Sequence, residues 1–321
     1  MHVAIDARDL ERDWRGIGRY VRAILKRFAV RDDVRVTLVR GGPFGLRAPR
    51  DADVVWHPWN GTFFGSRAPA VVTFHDAVPF RFPPDDPRTR ANDQDPWRRS
   101  AAESQAFIAN SQFTAGEIAQ FLGVPRERQT VTLLAVESDV FHPGGEPAWL
   151  DGGQPYVLFA GAGEARKNLA TLIEAHARAF PRGDVRLAVA GATPPPRSGA
   201  LALGVLEPLE LARWYRGALT VAVPSLYEGF GFPLLEALAC GAPALASRCS
   251  SLPEVGGDAC AWIEDPLDVA AWTAELGALA TDAAARARLG AAGPVQAARF
   301  SWDRCADETL GVLRAAAQGA A

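Results

Sequence analysis

Residues 224–243 read PSLYEGFGFPLLEALACGAP, and this stretch decides the fold class. The run before it, Leu219 to Val223, is short and apolar, which predicts a buried strand. Glycines then predict a tight turn, and Pro233 followed by leucine and alanine predicts the start of a helix. Strand, glycine-rich turn and helix, in that order, direct backbone N–H groups and the positive end of the helix dipole at an anion. The stretch therefore predicts a phosphate-binding turn in an α/β protein.

Two glutamates, Glu228 and Glu236, flank this turn. Glu236 would lie about one helical turn beyond the glycines, where a carboxylate is a good acceptor for ribose hydroxyls but a poor ligand for phosphate. Glu228 precedes the turn, where it would contact a sugar beyond the phosphates. We expect the backbone N–H groups of the turn to contact the phosphates, at Gly229, Phe230, Gly231 and Phe232. The alternative is an ordinary core turn with both glutamates in solvent.

A second loop of this kind lies in residues 159–176, FAGAGEARKNLATLIEAH. An apolar strand ends near Ala160, and Arg166 and Lys167 immediately precede a predicted helix. Two cations beside a helix N-terminus suit a diphosphate. Lysine is scarce in this chain, since the 34 basic residues include only two lysines, Lys26 and Lys167. The alternative is an exposed basic loop without a ligand.

The pattern E-x7-E from Glu228 to Glu236, followed by A-x-x-C-G-x-P, resembles the donor-site signature of the retaining GT-B glycosyltransferases of family 4. The resemblance implies an α/β fold of two Rossmann-like domains that face each other across a cleft. It also implies a nucleotide-diphospho-sugar as the donor, with Arg166 and Lys167 neutralising its diphosphate. Glu228 would orient the hydroxyls of the sugar. One departure is Ala162, where some relatives carry an arginine.

Residues of the first half match the family less specifically. Gly16 and Gly18, in the GIGRY run after the first predicted strand, would let the backbone approach the donor phosphates. His75 follows the apolar run VVTF, and the resemblance implies that it contacts the transferred sugar near the reacting carbon. His57 also follows an apolar run and is an acceptor-side candidate. The alternatives are a helix-entry turn and structural histidines.

The resemblance implies a metal-independent, retaining hexosyltransferase without a cofactor, in which Lys167, Glu228 and His75 are the catalytic residues. We expect the base near Val205 and Leu206, read by backbone groups, so the donor is either GDP-mannose or a UDP-sugar. The acceptor would be a glycan, a lipid-linked sugar or a natural product. Two alternatives stay open: a GT-B sugar-nucleotide epimerase and a catalytically silent partner subunit.

Composition indicates an ordinary globular protein, with 48% hydrophobic and 22% charged residues among 321. A net charge of −3 predicts no affinity for nucleic acid. The four cysteines form no C-x-x-C pair, which predicts small buried residues in a reducing compartment. No signal peptide or membrane-spanning run is recognised, so we expect a cytoplasmic enzyme. Chain length predicts two domains, at 1–145 and 155–300, with a helix at 301–321 that returns to the first.

Alternating strand and helix patterns predict parallel sheets in both halves. The expected strands are His2–Ile5, Val34–Val39, Asp53–Trp56, Ala70–Phe74, Ala106–Ala109, Thr130–Leu134, Tyr156–Ala160, Val185–Ala190, Leu219–Val223 and Ala244–Ala246. Helices are expected from about Gly18 to Phe28, after Ser111 with Thr114 and Glu117 as a capping box, and over Leu169–Ala179 and Trp302–Ala317. Residues 81–96, rich in proline and charge, predict a mobile surface loop.

The first predicted helix carries a basic face, formed by Arg15, Arg19, Arg22 and Lys26 at helical spacing. Such a face would attract an anionic bilayer, and many relatives use lipid-linked acceptors. The sequence therefore predicts peripheral contact with the inner face of a membrane. A solvated helix face is the alternative.

Overall fold

A computed structural model describes residues 1–13, 16–41, 45 and 47–319. The chain forms two compact units, the first from Met1–Leu134 together with the segment that begins at Ser301, and the second from Ala135–Phe300. Residues 135–145, which the sequence analysis assigned to the first domain, thus pack with the second unit. Within the described residues, no helix combines the length and the apolar character needed to span a bilayer.

The first unit contains a six-stranded parallel sheet with the strand order β2-β1-β3-β4-β5-β6. Its strands are β1 His2–Asp6, β2 Arg35–Val39, β3 Val54–His57, β4 Ala70–Phe74, β5 Ala106–Ala109 and β6 Gln129–Val131. Its helices are α1 Gly16–Phe28, α2 Val78–Arg81, α3 Pro87–Glu103, α4 Gln112–Leu122 and, near the C-terminus, α11 Trp302–Ala317. Buried apolar side chains of β4, β5, α3 and α4 pack together, including Val72, Phe74, Trp97, Phe107 and Ile118.

The second unit contains another six-stranded parallel sheet, in the order β12-β11-β10-β7-β8-β9. Its strands are β7 Tyr156–Ala160, β8 Arg186–Ala190, β9 Leu201–Gly204, β10 Thr220–Val223, β11 Ala244–Ser247 and β12 Cys260–Ile263. Its helices are α5 Leu169–Ala179, α6 Pro208–Gly217, α7 Phe232–Ala239, α8 Leu252–Gly256, α9 Val269–Thr281 and α10 Ala283–Ala297. This is the Rossmann strand order: from β7 the chain adds β8 and β9 on one side, and then β10, β11 and β12 on the other, so β7 and β10 form the switch point.

Helices cover both sheets, and central strands such as β1, β3 and β10 are buried along their whole length. In β7, Val157 and Phe159 are buried against Leu172 of α5 and Trp272 of α9. Each of these side chains contributes roughly 1.5–3 kcal/mol of burial free energy. This packing fixes the carboxyl ends of β7 and β10, where ligands bind in doubly wound sheets.

The α/β fold with two parallel sheets is confirmed, and most strands lie within one or two residues of their predicted bounds. The prediction of a mobile loop at 81–96 is wrong, because α3 begins at Pro87 and continues through Pro96. Asp86 caps this helix by accepting a hydrogen bond from the Thr89 N–H, and Trp97 anchors it in the core. Strands β9 and β12 were not predicted.

The predicted capping box of α4 is also wrong. Ser111 is the N-cap, and its hydroxyl accepts a hydrogen bond from the N–H of Thr114, which lies inside the helix. The Glu117 carboxylate instead forms an ion pair with Arg81, at 2.6 Å. Glu117 is therefore a link between α4 and α2 and not a capping residue.

Helix α11 packs on the first unit through both apolar and charged contacts. The ring of Trp302 contacts that of Tyr20, with centroids 6.3 Å apart. Arg27 of α1 forms an ion pair with Asp303, and the basic residue beyond α1, Arg31, pairs with Asp307. The basic surface of this region is thus partly neutralised by α11. Arg15, part of the predicted basic face, lies outside the described residues.

Candidate active site

Two loops of the second unit meet at the carboxyl ends of β7 and β10. The loop after β7 contains Arg166, whose carbonyl accepts a hydrogen bond from the backbone N–H of Leu226 in the loop after β10. Asn168 adopts left-handed backbone angles, with φ of 55°, and is the N-cap residue of α5. Its side-chain amide donates to the carbonyl of Pro224 at 3.0 Å. These contacts hold the two loops side by side at the switch point between β7 and β10.

The charged groups of these loops form one connected cluster. Nζ of Lys167 lies 2.6 Å and 2.8 Å from the two carboxylate oxygens of Glu228, a residue 61 positions further along the chain. Arg166 approaches the same carboxylate at 3.5 Å and forms a 2.6 Å ion pair with Glu164. The Ser225 hydroxyl donates to Glu228 Oε1 at 2.7 Å. Glu228 is buried, so its charge depends on these three partners.

Serines of the loop after β11 fix the backbone of the glycine-rich turn. The Ser251 hydroxyl lies 2.9 Å from the carbonyl oxygen of Glu228 and 2.8 Å from that of Phe230. The Ser250 hydroxyl accepts a hydrogen bond from the Glu228 N–H. Because the Ser251 hydroxyl lies within hydrogen-bond distance of both carbonyl oxygens, it restricts the directions in which the backbone N–H groups of this turn can point.

Helix α7 begins directly after Gly231, whose φ of 107° is a conformation that glycine adopts without strain. The carbonyl of Gly231 accepts hydrogen bonds from the N–H groups of Leu234 and Leu235, and Pro233 has no N–H. The N–H groups of Leu234 and Leu235 are therefore engaged within the helix start, and the phosphate contacts predicted for the amides from Gly229 to Phe232 stay a prediction.

Glu236 lies on α7 and is buried. The hydroxyl of Tyr215, on α6, donates to its Oε2 at 2.9 Å. Tyr215 is a site residue that the sequence analysis missed, because nothing in the local pattern of α6 shows that its hydroxyl reaches α7.

Val205 and Leu206, expected beside the base, follow β9. Val205 is exposed and Leu206 is half-buried. The carbonyl of Gly204 accepts a hydrogen bond from the N–H of Gly191, which ties this loop to the end of β8.

In the first unit, His75 follows β4 and is held by the backbone on several sides. Its Nε2 lies 2.9 Å from the Pro58 carbonyl, so Nε2 carries the proton and Nδ1 is the acceptor. Its backbone N–H donates to Asn60 Oδ1, and its backbone carbonyl accepts a hydrogen bond from the side-chain amide of Asn110. The ring packs edge-on against Tyr20, with centroids 5.0 Å apart. Burial lowers the pKa of His75 to about 4, so the ring is neutral at pH 7.

The other first-unit candidates, Gly16, Gly18 and His57, differ in their surroundings. Gly18 donates its N–H to the Asp13 carboxylate, and a Cβ at this position would lie 1.8 Å from the Asp13 carbonyl oxygen. Close backbone packing therefore accounts for glycine at position 18. Gly16 has a φ of 46° and open space around it. His57 is buried, with Nδ1 3.5 Å from the Asp6 carboxylate.

Across the described part of the chain, no group of three or more His, Cys, Asp or Glu side chains is arranged to hold a metal ion. The charged cluster of the second unit consists of ion pairs between side chains.

Residues 154–282 match the protein family described as "Glycosyl transferases group 1", and residues 44–139 match "Glycosyltransferase Family 4". The chain is 33% identical to O-antigen chain mannosyltransferase B of Escherichia coli over 275 residues, which is 76% of this chain and 70% of that protein. It is also 33% identical to a D-inositol 3-phosphate glycosyltransferase of Segniliparus rotundus, over 68% of this chain and 54% of that one.

Sucrose-phosphate synthase from Thermosynechococcus elongatus has a similar structure, with a TM-score of 0.76, 18% sequence identity and 98% of both chains covered. Such a likeness defines the fold, which is that of the GT-B glycosyltransferases.

Proposed function

The chain belongs to the family 4, or group 1, glycosyltransferases, and from that premise we propose that it moves a hexose from a nucleotide-diphospho-sugar to a hydroxylated acceptor with retention of configuration. The observation that carries the proposal is the cluster of Arg166, Lys167 and Glu228 at the switch point of a Rossmann sheet. It joins groups for a diphosphate and for sugar hydroxyls where such sheets bind nucleotides.

In this proposal the cations act on the leaving group. Cleavage of the bond between sugar and β-phosphate leaves negative charge on the phosphate oxygens, and Lys167 and Arg166 stabilise that charge as it develops. The turn amides from Gly229 to Phe232 add backbone donors. Glu228 accepts hydrogen bonds from the sugar hydroxyls and orients the reacting carbon.

Other residues bind the rest of the donor. Glu236 accepts the ribose hydroxyls, and the loop at Val205 and Leu206 contacts the base. In the first unit, His75, with Nδ1 as an acceptor, stays the candidate for a sugar contact, and Gly16 and Gly18 stay the candidates for a phosphate contact.

We propose GDP-mannose as the first donor to test, because the match to an O-antigen chain mannosyltransferase supports mannose. UDP-sugars are the alternative. The acceptor is a glycan, a lipid-linked sugar or a natural product.

The test is incubation of the protein with a panel of GDP- and UDP-sugars, with and without candidate acceptors. Release of nucleoside diphosphate that an acceptor stimulates supports the proposal. Conversion of the sugar without release would indicate an epimerase. Failure to bind any nucleotide would indicate a silent subunit.

We further propose that the reaction requires no metal ion, because Arg166 and Lys167 supply positive charge where a metal would otherwise act. Turnover is expected to be unchanged after treatment with EDTA. Loss of turnover on chelation, restored by manganese or magnesium, would contradict this.

A further inference from the structure

Both cations assigned to the diphosphate already have carboxylate partners. Lys167 contacts both oxygens of Glu228, and the two side chains are only 12% and 7% exposed. Arg166 lies between Glu228 and Glu164. Two cations and two carboxylates cancel in net charge, so an incoming diphosphate must compete with carboxylates for each cation.

Building on the proposed function, we propose that the Lys167–Glu228 ion pair makes the site discriminate against a nucleoside diphosphate that lacks its sugar. A diphosphate that recruits Lys167 leaves Glu228 without its closest cation. Glu228 is buried, and an uncompensated buried carboxylate is costly. The remaining partners, Ser225 and the more distant Arg166, compensate it only in part.

An intact donor removes this cost, because the hydroxyls of its hexose donate hydrogen bonds to Glu228 in place of the lysine. The spent nucleoside diphosphate has no such hydroxyls. After transfer, the ion pair therefore re-forms in competition with the product and favours its release. Glu228 thus determines specificity for the loaded donor over the spent one.

Glu164 is a weaker competitor than Glu228. Its side chain is 52% exposed, so water replaces Arg166 around it at little cost when the arginine turns to a ligand. It lies in the loop after β7, two residues before Arg166, and its ion pair is with Arg166 and not with a group assigned to the sugar. Its removal should therefore strengthen the binding of loaded and spent nucleotides alike, without changing their ratio.

The experiment is calorimetric titration of the 321-residue protein with UDP, GDP, UDP-glucose and GDP-mannose in the absence of acceptor. Glu228→Gln is expected to bind the nucleoside diphosphate about tenfold more tightly than the wild type, because Lys167 is released from its competitor. The same variant should bind the matching nucleotide sugar more weakly. Glu174→Gln, which breaks an exposed Glu–Arg pair with Arg178 on α5, is the matched control and should change neither affinity.

Glu228→Asp provides a second variant that keeps the charge but shortens the reach to Lys167. It should strengthen diphosphate binding in the same direction by a smaller factor, and it decides the matter if the glutamine variant does not fold. Unchanged or weaker diphosphate binding in the folded variants, beside normal wild-type binding, would overturn this inference and leave the proposed function intact. A wild-type protein that binds none of the four nucleotides would overturn both.

Discussion

The strand ends of the two sheets hold their polar groups in different ways. At the end of β10 in the second unit, Glu228 is paired with a side-chain cation from another loop, Lys167. At the end of β4 in the first unit, His75 is held by backbone groups and by amides that do not ionise. Both glutamate and histidine are buried, yet only the glutamate has a charged partner.

The ion pair of Glu228 can be exchanged for a contact with a ligand, whereas the hydrogen bonds that hold His75 are fixed. A charged ligand can replace one member of an ion pair, because it offers the same kind of interaction to the other member. A hydrogen bond from a ring nitrogen to the Pro58 carbonyl has no such competitor, so His75 keeps one tautomer and one orientation. Substitutions that remove a charge in the second unit should therefore change ligand binding and turnover. In the first unit, a change of pH should act on stability through His75.

The largest effect is expected at Lys167. Lys167→Ala should lower kcat/KM by about two to three orders of magnitude, as is typical when a charge partner of the transition state is lost. Lys167→Arg should recover only part of this, because a planar guanidinium fits the position of an ammonium poorly. Steady-state kinetics with the donor found in the panel measures both.

The control is Lys26→Ala, since Lys26 is the other lysine of the chain and is exposed on α1. It should retain wild-type kinetics. Wild-type kcat and KM in Lys167→Ala would show that the diphosphate is bound elsewhere.

His75 should make stability depend on pH. Its pKa in the folded protein is lowered by burial to about 4, while an unfolded histidine titrates near 6.5. Between these values the unfolded chain binds more protons, so the free energy of unfolding falls as pH falls from about 6.5 to about 4. The full loss from this one group is on the order of 3 kcal/mol.

His75→Gln should reduce that pH dependence, and denaturant titrations at several pH values between 4 and 7 measure it. His176→Gln is the comparison, because burial also lowers the pKa of His176 but that residue is only half-buried. His176→Gln should change the dependence of the free energy of unfolding on pH less than His75→Gln does. Equal slopes in the wild type and His75→Gln would show that folding does not lower the pKa of His75.

Sequence patterns predicted the elements whose signals are local. The helices Leu169–Ala179 and Trp302–Ala317 were predicted at their observed bounds because their apolar periodicity and end signals agree. The prediction of a loop at residues 81–96 was wrong because prolines and charged residues are typical of loops. A buried tryptophan and a capping aspartate stabilise a helix there instead. The strands β9 and β12, with four residues each, lack the β-branched runs that would reveal them.

The candidate site was predictable residue by residue but not in its pairing. Lys167, Glu228 and Glu236 were each proposed from turn chemistry and the family pattern. That Lys167 contacts Glu228 follows from the pairing of β7 with β10, which no local signal encodes. The same holds for Tyr215, whose hydroxyl reaches Glu236 across 21 positions.

A smaller effect is expected at the ribose contact. Glu236→Ala should weaken binding of the nucleoside diphosphate and of the intact donor equally, because ribose is common to both. Tyr215→Phe should weaken both about two- to tenfold, the range for one lost hydrogen bond that positions an acceptor. Calorimetry with the diphosphate and its 2′-deoxy form tests this, since Glu236→Ala should no longer distinguish the two.

Tyr156→Phe is the matched control, because it deletes another buried hydroxyl, one that donates to the carbonyl of Trp214. It should lower stability and leave nucleotide affinity unchanged. If Glu236→Ala lost affinity for the intact donor alone, the carboxylate would contact the transferred sugar and not the ribose.

The smallest effect concerns the basic surface of the first unit, where charges are paired as in the second unit but on exposed helices. Arg27 and Arg31 are paired with Asp303 and Asp307, whose side chains are 80% and 68% exposed. Each unpaired basic residue near an anionic bilayer adds about 1 kcal/mol of attraction, so this pairing should leave only weak binding. The protein is expected to sediment in part with anionic vesicles at low salt and to be released as salt rises.

The double variant Asp303→Asn, Asp307→Asn should increase this sedimentation, because it removes two negative charges beside Arg27 and Arg31 without touching the residues proposed to bind the donor. Arg31 keeps its ion pair with Asp33. Neutral vesicles should bind neither protein. If the double variant stays in the supernatant with anionic vesicles at low salt, the basic surface is a solvated helix face. The acceptor would then have to reach the enzyme without electrostatic help from a membrane.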